Sequence, residues 1–114
     1  MTKEQWYDEL TSKPLTINNR IYTFTKPDTF SNLADLEIDT LDKQRIMLSD
    51  YIIEENKDTG ELYIRITYSR RNPNNRIVIK GNSINPEYFG QYMILSKRDF
   101  EQAVVSELFW VEEY

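Results

Sequence analysis

Residues 45–69 read RIMLSDYIIEENKDTGELYIRITYS, and the fold turns on this stretch. Two runs rich in isoleucine and tyrosine flank the polar link Asn56-Lys57-Asp58-Thr59-Gly60. β-Branched and aromatic side chains favour extended chain, and a short polar link ending in glycine favours a hairpin. A loop over Lys57 to Gly60 puts Gly60 in the left-handed backbone region, where glycine alone is comfortable. That register pairs Ile53 with Ile64 and Tyr51 with Ile66. One face then carries Ser49, Tyr51, Ile53, Leu62, Ile64, Ile66 and Tyr68, which predicts a core side. The other carries Leu48, Asp50, Ile52, Glu54, Tyr63, Arg65 and Thr67, a mixed polar side.

The flanking segments extend the same pattern. Leu15 to Thr25 is divided by Asn18-Asn19, residues that tolerate the positive φ of a two-residue hairpin turn. If Ile17 pairs with Arg20, then Leu15, Ile17, Tyr22 and Phe24 share an apolar face, while Thr16, Ile21, Thr23 and Thr25 share the opposite one. Beyond the polar turn Arg71 to Asn75, a third strand is predicted over Arg76 to Lys80. Gly81 to Gly90 reads as a loop, and Gln91 to Leu95 as a short strand. Residues 27–42 fit neither helical nor strand period, because Leu33, Leu36, Ile38 and Leu41 are unevenly spaced. They read as a loop with a helical turn started by Asp28 or Ser31.

Two helices bracket the strands. Thr2-Lys3-Glu4-Gln5 has the form of a capping box, and Trp6 and Leu10 lie four apart in a short helix running to about Thr11. Ser96, with Asp99 in the first turn, caps a longer helix read from Lys97 to Glu112. Its apolar stripe is Phe100, Ala103, Val104, Leu108 and Val111, interrupted by Glu107. Strands bracketed by helices predict one α+β domain over residues 1–114, with an antiparallel sheet of about five to six short strands.

Composition removes whole classes of chemistry. The chain has 114 residues with no cysteine and no histidine. Disulfides, zinc-thiolate sites, cysteine nucleophiles and histidine-based triads are therefore excluded. Its three glycines, Gly60, Gly81 and Gly90, form no phosphate-binding cradle. Asp50 with Glu55-Asn56-Lys57 superficially resembles the carboxylate and lysine set of metal-dependent nucleases, but the triplet falls in the hairpin turn and reads as turn chemistry. No calcium-loop spacing is present. The sequence implies no catalytic residues, no metal and no cofactor. The polar amino terminus predicts no signal peptide, and no apolar run is long enough to span a bilayer, which suits a cytoplasmic protein.

Charge is unevenly placed. The net charge is −5, yet residues 28–61 sum to −7, residues 62–98 to +6 and residues 99–114 to −5. An acidic surface of Asp35, Glu37, Asp39, Asp42, Glu112 and Glu113 is the leading candidate site, suited to a basic protein partner. Phe109 and Trp110 are a candidate aromatic anchor within it. The leading expectation is a small non-enzymatic interaction protein. Its composition suits a low-GC bacterium or a phage or mobile element, where such a protein would inhibit by covering the nucleic-acid-binding surface of a host enzyme. The alternative is a nucleic-acid-binding accessory protein using Tyr63, Arg65, Arg70, Arg71, Arg76 and Lys80 as a basic face, though the net charge opposes phosphate. A third expectation is a structural or assembly component.

Overall fold

The computed structural model describes residues 1–27, 33–42, 45–69, 75–81, 84 and 86–113. The elements run α1 (Lys3–Thr11), β1 (Leu15–Ile17), β2 (Arg20–Phe24), β3 (Ala34–Thr40), β4 (Arg45–Glu55) and β5 (Leu62–Thr67). They continue with β6 (Asn75–Ile79), β7 (Glu87–Tyr88), β8 (Tyr92–Ser96), α2 (Lys97–Val105) and β9 (Phe109–Glu113). A seven-stranded antiparallel sheet has the order β1-β2-β3-β4-β5-β8-β7, and β6 pairs with β9 in a separate two-stranded sheet.

The hairpins form in the predicted registers. Ile17 faces Arg20, with Asn18 and Asn19 at φ 49° and 61°, and Ile53 faces Ile64. Gly60 sits at φ 75°, its N–H donating to the Asn56 carbonyl at 2.8 Å. Thr2 and Gln5 complete the capping box of α1, and the Ser96 side chain accepts from the Asp99 N–H at the start of α2.

The inward side chains of the large sheet meet both helices and the small sheet in one core. Leu36, Ile38, Tyr51, Ile64 and Met93 are fully buried there, with Trp6, Ala103 and Phe109 from the covering elements. Phe100 is the hub of an aromatic network, with ring centroids 5.7 Å from Trp6, 6.1 Å from Phe24 and 5.5 Å from Phe109. Tyr51 extends it, at 5.0 Å from Phe24 and 5.8 Å from Tyr7.

Two expectations are corrected. Residues 34–40, read as part of a loop, form β3, where Ala34, Leu36 and Ile38 alternate inward against Asp35, Glu37 and Asp39 outward. Acidic residues disfavour strands locally, but pairing on both sides with β2 and β4 overrides that preference. Leu33 and Leu41, which confused the period, are exposed residues flanking the strand. The helical turn expected at residues 28–31 and the turn over residues 71–74 lie outside the described residues.

The second helix stops at Val105, so the two helices are equally long, at nine residues each. Glu107 enters the left-handed region at φ 52°, its N–H donates to the Val104 carbonyl, and the Leu108 N–H donates to Ala103. This is a Schellman ending with glutamate in the position usually given to glycine. Residues 109–112, read as helix, belong to strand β9. Strand β6, predicted over Arg76 to Lys80, forms at Asn75–Ile79 and pairs with β9. The large sheet has seven strands, close to the expected five to six, with β7 inside the expected 81–90 loop.

Candidate functional site

On the large sheet, Asp35, Glu37 and Asp39 occupy alternate positions of β3 and therefore share its outward face. Asp50 of β4 lies directly opposite Asp35 in the register, and Asp39 lies opposite Arg45. Residues directly opposite share a face, so the Asp35 and Asp50 carboxylates stand on the same side of the sheet. The Asp50 carboxylate accepts from the Thr67 hydroxyl at 3.0 Å, and the Asp50 N–H donates to the same oxygen at 2.9 Å. Glu54 continues the outward row of β4, accepting from the Tyr63 hydroxyl at 2.5 Å and lying 3.6 Å from the Arg65 guanidinium. That hydrogen bond to the carboxylate, and then desolvation, push the Tyr63 phenol above its ordinary value. Asp42 is exposed in the turn after β3 and accepts from the Thr40 hydroxyl. Both helices direct their buried side chains to the inward face. Among the described residues, no helix covers the outward one.

The expected acidic surface is divided. Glu112 belongs to β9, on the side of the small sheet that faces away from the core, and Lys80 holds it at 2.8 Å. Phe109 and Val111 alternate with it and pack inward. Glu112 and the β3 row consequently lie on opposite sides of the core. The Glu113 side chain lies outside the described residues. Phe109 is 2% exposed and is a core residue rather than an anchor, whereas Trp110 is 42% exposed.

The expected basic face is also split. Tyr63 and Arg65 lie on the outward face of β5, but Arg76 is on β6 and Lys80 directly follows it; Arg70 and Arg71 lie outside the described residues. What the fold brings together instead are cations and rings. Arg65 lies 5.2 Å from the Tyr92 ring centroid, Arg76 5.2 Å from Tyr68, and Lys80 5.4 Å from Trp110. Phe89 stacks near Tyr92 at 5.1 Å, and the Tyr88 hydroxyl accepts from the Ile79 N–H at 3.2 Å. A groove of about 290 Å³ is lined by Tyr68, Arg76, Val78, Tyr88 and Phe89. A neighbouring hollow of about 490 Å³ shares Tyr68 and Arg76 and reaches Asp50. Tyr68, read as core, is buried but stands outside the main cluster and forms part of this groove. The signal that could have marked the corner is the aromatic density of Tyr88-Phe89-Gly90-Gln91-Tyr92.

The Glu55-Asn56-Lys57 segment performs turn chemistry, with the Asn56 side-chain oxygen accepting from the Asp58 and Thr59 N–H groups at 2.9 and 3.3 Å. Among the described residues, no group of three acidic side chains could hold a metal ion, and no helix is long and apolar enough to cross a membrane. No protein-family model, curated protein or solved structure matches the chain.

Proposed function

We propose that the protein is a non-enzymatic interaction module that presents the outward acidic face of β3 and β4 to a basic protein surface. Asp35, Glu37, Asp39 and Asp50 form that face. The observation that carries the reading is the placement of Asp50 directly across from Asp35, on a sheet face that no described helix covers. Carboxylates gathered on one strand face offer a cationic surface several complementary contacts at once, which favours encounter and register with a basic partner. A target that uses its basic groove for nucleic acid would be inhibited by occupation, which suits the small size and net charge of −5.

The test is affinity capture from a bacterial lysate with the wild-type protein and with the Asp35→Asn, Glu37→Gln, Asp39→Asn triple variant. The expected result is a stoichiometric basic protein retained at low salt, lost with the variant, and displaced from its nucleic acid by the wild type. Equal retention by both proteins, or a partner indifferent to salt, defeats the reading.

A further inference from the structure

We infer that the outward side of β6–β9, together with the β7 corner, binds single-stranded nucleic acid. This goes beyond the reading above and uses different residues. Among the described residues, the exposed aromatic rings are Tyr88, Phe89 and Trp110, and they stand around one short strand, β6. Trp110 lies opposite Val78 on one side of that strand, while Tyr88 reaches the Ile79 N–H on the other. Between them runs the groove over Tyr68 and Arg76, continued at the corner by Phe89 on Tyr92.

The arrangement alternates charge with flat surface. Arg65 with Tyr92, Arg76 with Tyr68, and Lys80 with Trp110 each set a cation about one ring-width from an aromatic face. Arg65, Arg76 and Lys80 are the cations set against these rings, so the occupant carries negative charge. A single strand offers one phosphate and one planar base at every unit, which matches this alternation; bases stack on rings while cations meet phosphates. An acidic peptide supplies the charge without a ring at each residue, and a duplex hides its base faces. Lys80 is engaged by Glu112 and Arg65 by Glu54, but partly exposed ion pairs are weak and screened. A phosphate exchanges readily for such a carboxylate.

The experiment is fluorescence anisotropy with labelled oligothymidylate and oligouridylate of about 12 nucleotides. Binding is expected at low salt, weakening as salt rises, preferring single strand to duplex, and quenching the exposed Trp110 while leaving buried Trp6 unchanged. Trp110→Ala should weaken binding on the order of tenfold, and Tyr88→Ala with Phe89→Ala comparably. Glu112→Gln should tighten it by releasing Lys80. Chemical-shift mapping needs no substitution, and its changes should fall on Tyr68, Val78, Phe89 and Trp110.

The Asp35→Asn, Glu37→Gln, Asp39→Asn variant should bind oligonucleotides like the wild type, so this inference and the acidic-face reading fail separately. No anisotropy change at low salt, equal affinity for duplex, indifference to Trp110→Ala, or shifts confined to other faces would each overturn the proposal. So would a tyrosine- and aspartate-rich peptide that fills the groove when oligonucleotides do not.

Discussion

Glu107 holds a backbone angle that its side chain does not favour. An L-residue in the left-handed region meets a steric penalty of about 1–2 kcal/mol, which glycine escapes. The surroundings secure it: the Asn18 side-chain amide donates to the Glu107 and Phe109 carbonyls, both at 2.7 Å. The tip of the first hairpin thereby clamps the corner between α2 and β9. Glu107→Gly should raise stability by about 1 kcal/mol in urea unfolding, the relief exceeding the added flexibility of the unfolded chain. Unchanged or lowered stability would show that the clamp, rather than the angle, dominates that corner. Asn18, Asn19 and Gly60 were legible in the sequence because their types announce positive φ. Glutamate announces nothing of the kind, so the end of α2 was not.

At the level of elements, the boundaries are settled by what happens to main-chain donors beyond the last paired residue. The β3–β4 register reaches only to Ala34 opposite Tyr51, while β4 continues to Glu55. Past that point the Ile53 N–H donates to the Tyr7 hydroxyl at 2.8 Å, so α1 completes an edge that β3 leaves short. Desolvation is the largest influence on that phenol and pushes its pKa up. Tyr7→Phe removes the acceptor and strands a buried N–H. It should lower stability by about 1–3 kcal/mol in urea unfolding. A loss well below that range would mean that water replaces the hydroxyl. Strand β3 itself shows why the acidic row was misplaced in secondary structure although its residues were named. The alternation of Ala34, Leu36 and Ile38 is strand-like, but Asp and Glu between them weaken the local signal.

For the whole molecule, the aromatic network sets a pH limit. Tyr22 and Tyr51 are buried in it, and burial raises both phenols far above the ordinary 10.0. Above pH 10 the unfolded chain sheds phenolic protons that the folded chain retains, so unfolding becomes easier as pH rises. Below that pH the two phenols contribute no slope. Thermal melts between about pH 9 and 12 should therefore show a progressive fall in Tm that begins near the tyrosine range. Tyr22→Phe should flatten it, since the Tyr22 hydroxyl is buried with no hydrogen-bond partner among the described residues. An unaltered slope in that variant would assign the alkaline loss elsewhere.

The amino-acid order by itself determined the registers and inward faces of the two hairpins and both helix starts. These depend on periodicity, turn residues and caps, all local. It also named Trp110 and the β3 carboxylates Asp35, Glu37 and Asp39, all of which the fold leaves at least partly exposed. Tertiary structure alone decided that β9 is a strand, because β6 supplies the ladder that residues 109–113 complete and a left-handed corner turns the chain toward it. The same crossover buried Phe109, gave Glu112 to Lys80 and parted it from the β3 row, and set Trp110 across the ladder from Val78 of the groove that Tyr68, Tyr88 and Phe89 line. Local preference acts over a few residues, whereas the β6–β9 ladder joins residues 30 to 38 positions apart, from Ile79 with Phe109 to Asn75 with Glu113.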